Sequence, residues 1–175
     1  MGRRSGIIRV MNDRSPRRVG RVHQVNVSSG GVPKLAVPRA HVHRLGLEGD
    51  GHREPEPIHG GVDAAVSLYS LEAIARVAAD GHTAFPGAYG ENLTLEGLDW
   101  ASLRAGDRLA IGAGGLAIEL TKNASPCTTL RHYFVDGRFA RISQKVHPED
   151  ARWYARVLVE GPVAPGDRVE VTSVD

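Results

Sequence analysis

The chain holds a single cysteine, Cys127, which follows Ser125-Pro126 just after an alternating apolar segment that ends at Thr121. Proline fixes the backbone angle φ, so Pro126 holds the thiol at a defined exit from that segment. A thiolate there can bind a soft metal or carry a persulfide; the plainer reading is a small buried hydrophobe. His59-Gly60-Gly61 sets an imidazole beside two residues without side chains, which lets a polyanion approach backbone N–H groups closely. As a three-residue motif it has little specificity. Gly49-Asp50-Gly51-His52, together with His41 and His43, contains the ingredients of a histidine-rich metal site. The competing reading, exposed loop histidines, is the commoner one for His41, His43 and His82. Gly90-Glu91-Asn92-Leu93 places a carboxylate and an amide at a strand entry, where they can face a flat heterocycle; an Asx-capped turn is the commoner origin of such a tetrapeptide. Arg152, Tyr154 and Arg156 share one face if their segment is extended, either as an anion-facing row or as a solvated edge.

The elements that must position these residues read mainly as strands. Residues 21–27 are rich in valine, Ser28 to Pro33 read as a hairpin turn, and residues 34–45 resume as extended chain restricted by Pro38. Residues 46–64 form a long loop broken by Pro55, Pro57, Gly60 and Gly61, and loops of that length are often functional. One helix is expected from Ser70 as N-cap to a stop at Gly81, with Leu71, Ile74, Ala75, Val77 and Ala78 on its apolar stripe and an exposed Glu72–Arg76 pair. A second, weaker helix is expected over Pro148 to Tyr154. LRAGDRLAI (103–111) and VAPGDRVEV (163–171) repeat one pattern, a Gly-Asp turn that feeds an alternating strand. Gly112, Gly114 and Gly115 then make a hairpin into residues 116–121, with Leu116, Ile118 and Leu120 on one face. Repeated turn–strand units with few helices predict a mainly β fold, a closed or nearly closed β-barrel with a few short helices.

Composition agrees and narrows the function classes. A chain of 175 residues suits one domain, and its 21 glycines and 10 prolines imply many turns and disfavour a helix bundle. Residues 1–21 carry Arg3, Arg4, Arg9, Arg14, Arg17, Arg18 and Arg21 against Asp13 alone, whereas the whole chain is only +2. The remainder is therefore mildly acidic, which argues against a nucleic-acid-binding domain. Residues 1–18 are expected to be a disordered basic leader and 19–175 a single barrel domain. No run of ~18 apolar residues is present, so no membrane span is expected. A lone cysteine excludes an intramolecular disulfide and fits a cytoplasmic location.

The order of motifs is more specific than any one of them. GVPK (31–34), GLEGD (46–50), HGG (59–61), PG-x-x-GENL (86–93), GD (106–107), PC (126–127), YARVL (154–158) and GD (166–167) together resemble the MOSC family, homologues of the C-terminal domain of molybdenum cofactor sulfurase, over about residues 20–172. The resemblance implies a barrel similar to the barrel domain of pyruvate kinase. It implies binding of the molybdenum cofactor, with Cys127 as the sulfur ligand to Mo or as a persulfide carrier. His59, Gly60, Gly61, Glu91 and Asn92 match motifs lining the cofactor cleft. Where family members often carry cations, this chain has Ala64, Ala124 and Thr129; Lys34, Arg131, Arg152 and Arg156 are the residues that can substitute. Two functions follow from the resemblance: a small molybdoenzyme that reduces N-hydroxylated compounds with a separate electron donor, or a non-catalytic carrier of sulfur or cofactor served by a sulfur-donor protein. A hydrolase built on His52 and His59 ranks below both, for want of a carboxylate-rich ligand set.

Overall fold

The computed structural model describes residues 17–51 and 60–173. The strands are β1 (Val19–Val27), β2 (Leu35–Val37), β3 (Ala40–His43), β4 (Gly46–Leu47), β5 (Val66–Ser70), β6 (Leu93–Glu96), β7 (Arg108–Ile111), β8 (Leu116–Ala124), β9 (Arg152–Val159), β10 (Gly161–Val163) and β11 (Arg168–Thr172), with one α-helix, α1 (Leu71–Ala79). Seven of them run in the order β11-β7-β8-β9-β5-β6-β1, and pairing of β1 with β11 closes the barrel. β2 adds to β1 outside the ring, and β10-β3-β4 form a separate small sheet. The expected closed barrel is therefore present. No helix among the described residues is long and apolar enough to cross a membrane.

Strand alternation fills the interior. Leu116, Ile118 and Leu120 of β8 are buried while their neighbours are half-exposed, and Leu109, Ile111, Val169 and Val171 meet them from β7 and β11. Each such side chain contributes roughly 1.5–3 kcal/mol by leaving water, and Ile118→Ala would cost about 2–5 kcal/mol through the cavity it leaves. The two repeated Gly-Asp turns work as expected. Gly106 and Gly166 have φ of 95° and 92°, Asp107 Oδ2 accepts from Arg104 N and Asp167 Oδ2 accepts from Ala164 N, both at 2.9 Å. The strands they feed, β7 and β11, pair with each other, Leu109 opposite Val171.

Helix α1 begins where expected, with Ser70 Oγ accepting from Ala73 N at 3.1 Å, and Gly81 follows its end with φ of 90°. Its buried face is Ala73, Ile74 and Val77, whereas Ala75 and Ala78 are exposed. The expected Glu72–Arg76 pair does not form. Glu72 accepts instead from Ser70 Oγ and Gly97 N, and Arg76 bonds Asp150. The expected second helix is also absent: Pro148–Asp150 make one 3-10 turn and the chain then enters β9. Asp150, 1% exposed, is held by both Arg76 and Arg141, and Ala151 is already extended as the chain enters β9. Arg17 and Arg18, assigned by sequence to the leader, are joined to the barrel. Asp99 N donates to Arg17 O, Val171 N donates to Arg18 O, and the Arg18 guanidinium reaches Asp107.

Candidate functional site

The loop after β1 and the loop before β6 meet in a buried polar network beside the barrel mouth. Asp50 lies at its centre. Its Oδ1 accepts from Ser28 N at 3.0 Å, and its Oδ2 accepts from Asn92 Nδ2 at 2.9 Å and from Lys34 Nζ. Asn92 spends its remaining capacity on the scaffold, its Oδ1 accepting from Ser67 N and Ser67 Oγ and its Nδ2 reaching Asn26 O. Burial pushes the Lys34 ammonium below the usual lysine range, against the opposing pull of Asp50. Gly87 makes this convergence possible: its φ is 89°, and a side chain there would collide with the Lys34 carbonyl.

Above this network opens a cavity of about 600 Å3, a size suited to a small-molecule ligand. Lys34, Ser67, Tyr89, Asn92, Cys127, Thr129, His132, Arg152 and Tyr154 are among its lining residues, and Gly51 and Gly60 border it. Arg152, 6% exposed, enters from the start of β9. One of its terminal nitrogens donates to Tyr89 O, while its Nε is buried with no partner among the described residues. An unpaired guanidinium N–H carries a desolvation cost, and the Nε of Arg156, outside the cavity, is left in the same state. Cys127 stands at the end of β8, half-exposed, with Sγ 2.7 Å from Thr129 Oγ1.

The structure thus brings Lys34, Gly60, Asn92, Cys127 and Arg152 around one cavity. Other expected residues lie elsewhere. Glu91 is fully buried and does not line it. Its Oε1 accepts from Gly87 N at 2.6 Å and from Thr94 Oγ1 at 3.2 Å, its Oε2 is unpartnered, and burial raises its carboxyl above the usual range. Arg156 is held by Asp63 and Glu119 away from the lining. Gly61, with φ of 79°, begins the turn of Val62–Ala64. Arg131 is exposed and outside the lining. His59 and His52 fall outside the described residues. The extended reading of Arg152, Tyr154 and Arg156 holds, yet only the first two reach the cavity. Sequence reasoning missed Asp50 as the hub, because its partners lie 16, 22 and 42 residues away. It also missed His132, one of several loop histidines with no distinguishing neighbour.

The MOSC domain family matches residues 55–170. YflK of Bacillus subtilis (strain 168) is 28% identical over 158 residues, 84% of this chain. YiiM of Escherichia coli (strain K12) is 31% identical over 133 residues, 74% of this chain. The chain spans 65% and 57% of those two relatives' own lengths. Among solved structures, the YUAD protein of Bacillus subtilis superposes with a TM-score of 0.74 at 18% identity, covering 90% of this chain and 97% of that one. YiiM from Geobacillus stearothermophilus gives 0.66 at 21% identity, covering 88% and 75%. At those identities the superpositions speak for the fold, and they agree with the barrel described above. With the family matched over about two thirds of its length and the Pro-Cys and Gly-Glu-Asn-Leu motifs both in place around the barrel mouth, this chain belongs to the MOSC domain family.

Proposed function

We propose that the cavity binds the molybdenum cofactor, and that the protein is a small molybdoenzyme reducing N-hydroxylated compounds. The observation that supports the reading is that a half-exposed cysteine, Cys127, and a cationic residue, Arg152, line the same cavity. A pterin cofactor is anionic and needs a sulfur donor for its metal; these residues fit both demands. Cys127 would supply the thiolate and Arg152 the anion contact, with the exposed His132 at the rim. Lys34 is spoken for by Asp50. When bound, the cofactor supplies two-electron redox chemistry that side chains lack. The overall change, R–NH–OH plus two electrons and two protons to R–NH2 plus water, draws its electrons from a separate donor protein. The chain's own task is to orient the bound group, keep it in a partly enclosed site and hold the Cys127 sulfur beside Thr129 Oγ1.

The carrier reading rests on the same thiol, whose partial exposure would also serve sulfur transfer. Metal analysis of protein purified from a host that makes the cofactor separates the two. Stoichiometric Mo that is lost in Cys127→Ser, with the melting temperature unchanged, is the expected result. Cyanide-labile sulfur without Mo would establish the carrier instead, and a fully Mo-loaded Cys127→Ser would remove the thiol from both.

A further inference from the structure

Away from the cavity, the small sheet β10-β3-β4 carries a second cluster of ligating side chains. His41 and His43 are two residues apart on β3 and so project from the same face. The antiparallel register sets Gly161 opposite Val42 and Pro162 opposite His41, which places Glu160 across from His43. Their ligating atoms, one from each of His41, His43 and Glu160, lie within 4.8 Å of one another. The two imidazole centroids are 4.6 Å apart, and His43 Nδ1 is 4.0 Å from Glu160 Oε2. The carboxylate is already oriented: Arg44 N donates to Glu160 Oε1 at 2.7 Å, leaving Oε2 turned toward the imidazole.

We propose that His41, His43 and Glu160 form a binding site for a divalent cation of the Zn2+ class. Two imidazoles and one carboxylate are a borderline donor set, unsuited to Ca2+ or Mg2+, which prefer oxygen alone. Bonds of about 2.0–2.2 Å to a tetrahedral ion require ligand atoms roughly 3.3 Å apart. His43 and Glu160 are more than half and half exposed respectively, so small side-chain rotations close the remaining gap while β3 and the turn after β9 stay fixed. The backbone N–H on Glu160 Oε1 plays the part that an outer hydrogen bond plays in known metal sites, holding the ligand in register. Three protein donors leave one position open to water or to an external ligand. The other comparable cluster, His147, Glu149 and Asp150, offers no such set, because Asp150 gives both oxygens to Arg76 and Arg141. None of His41, His43 or Glu160 lines the cavity of Cys127, so the site stands whether or not the proposed function does.

The test is calorimetric titration of the metal-free full-length protein with ZnCl2, on the native chain and on His41→Ala, His43→Gln, Glu160→Gln and, as controls, Cys127→Ser and His147→Gln. The expected result is one equivalent bound by the native protein and by both controls. Affinity should fall at least tenfold in Glu160→Gln, and the equivalent should be lost in the two β3 histidine variants. Because ion binding ties β3 to the β9–β10 turn, saturating Zn2+ should also raise the melting temperature of the native chain and not of His43→Gln, which keeps its size and confirms folding independently. An equivalent that persists in all three ligand variants, or that disappears in Cys127→Ser, would overturn the assignment, as would a native chain that binds no Zn2+ at all.

Discussion

Lys34 and Arg152 are the two buried cations at the cavity, and they are treated in opposite ways. Lys34 is neutralised on the spot by Asp50, which also gathers Ser28 and Asn92. Arg152 has no carboxylate within ion-pair distance among the described residues, and one of its buried N–H groups has no acceptor. Glu91, an acid that feels the charge of Arg152, has its carboxyl raised above the usual range by burial. A paired buried ion serves the fold, since its energy is spent on its partner. An unpaired one is destabilising alone and gains only when something anionic arrives. Under the proposed function, the contrast gives Lys34 an architectural role and Arg152 a recognition one.

The sharpest way to break that contrast is at Lys34. Lys34→Met leaves the Asp50 carboxylate buried without a cation and should cost about 3 kcal/mol of stability in denaturant titration. Adding Asp50→Asn to it should recover much of that loss, because the charge left unpaired is then gone. Arg152→Gln is the converse case. Stability should move by no more than about 1–2 kcal/mol, the worth of the bond to Tyr89 O. Retention of Mo or of any anionic pterin should fall at least tenfold, read by metal content at a temperature where the variant is fully folded. If Arg152→Gln unfolded the protein while Lys34→Met did not, the two roles would be exchanged.

Glu91 supplies a test by pH. Burial raises its carboxyl in the folded state above the ordinary value of 4.5, so the folded chain holds this proton more tightly than the unfolded chain does. Its contribution to stability is complete below pH 4.5 and is lost as pH rises through the raised folded value. Glu91→Gln keeps an acceptor for Gly87 N and carries no charge. Its melting temperature should therefore match or fall below the native one near pH 4 and exceed it increasingly toward pH 8. Parallel curves at all pH values would show that the Glu91 carboxyl titrates alike in the folded and the unfolded chain. The smallest effect belongs to Thr129. Removing its hydroxyl in Thr129→Val deletes the contact 2.7 Å from Cys127 Sγ, and alkylation of the thiol should change by only a few-fold, with stability unaffected.

What could be read from the sequence divides along the same line. β1, β7, β8 and β11 were legible because alternation and Gly-Asp turns are local signals, and the barrel followed from their number. The 148–154 segment misled because Pro148 followed by two acids is the ordinary start of a helix; the arginines that capture Asp150 come from positions 76 and 141. At the site, Cys127 could be named from motif order, and Arg152 only as one of several cations able to stand in for missing ones. The hydrogen-bond partners of Asn92 could not be read. An amide at a strand entry looks available for a ligand, yet all of its hydrogen-bonding atoms are taken by Ser67, Asn26 and Asp50. Such commitments are made across distant positions, and no local pattern records them.

Closure of the barrel sets a condition on how the chain can be made. Val19 pairs with Glu170 and Arg21 with Arg168, so this stretch of β1 waits for β11 before its second edge is covered. Pairings of such long sequence separation are slow, in the range of milliseconds to seconds for β folds. Until β11 arrives, β1 and β7 each present an unpaired edge, which is a template for association with other chains. A nascent or truncated chain that stops before residue 168 should therefore accumulate as aggregate rather than as a weakly active fragment.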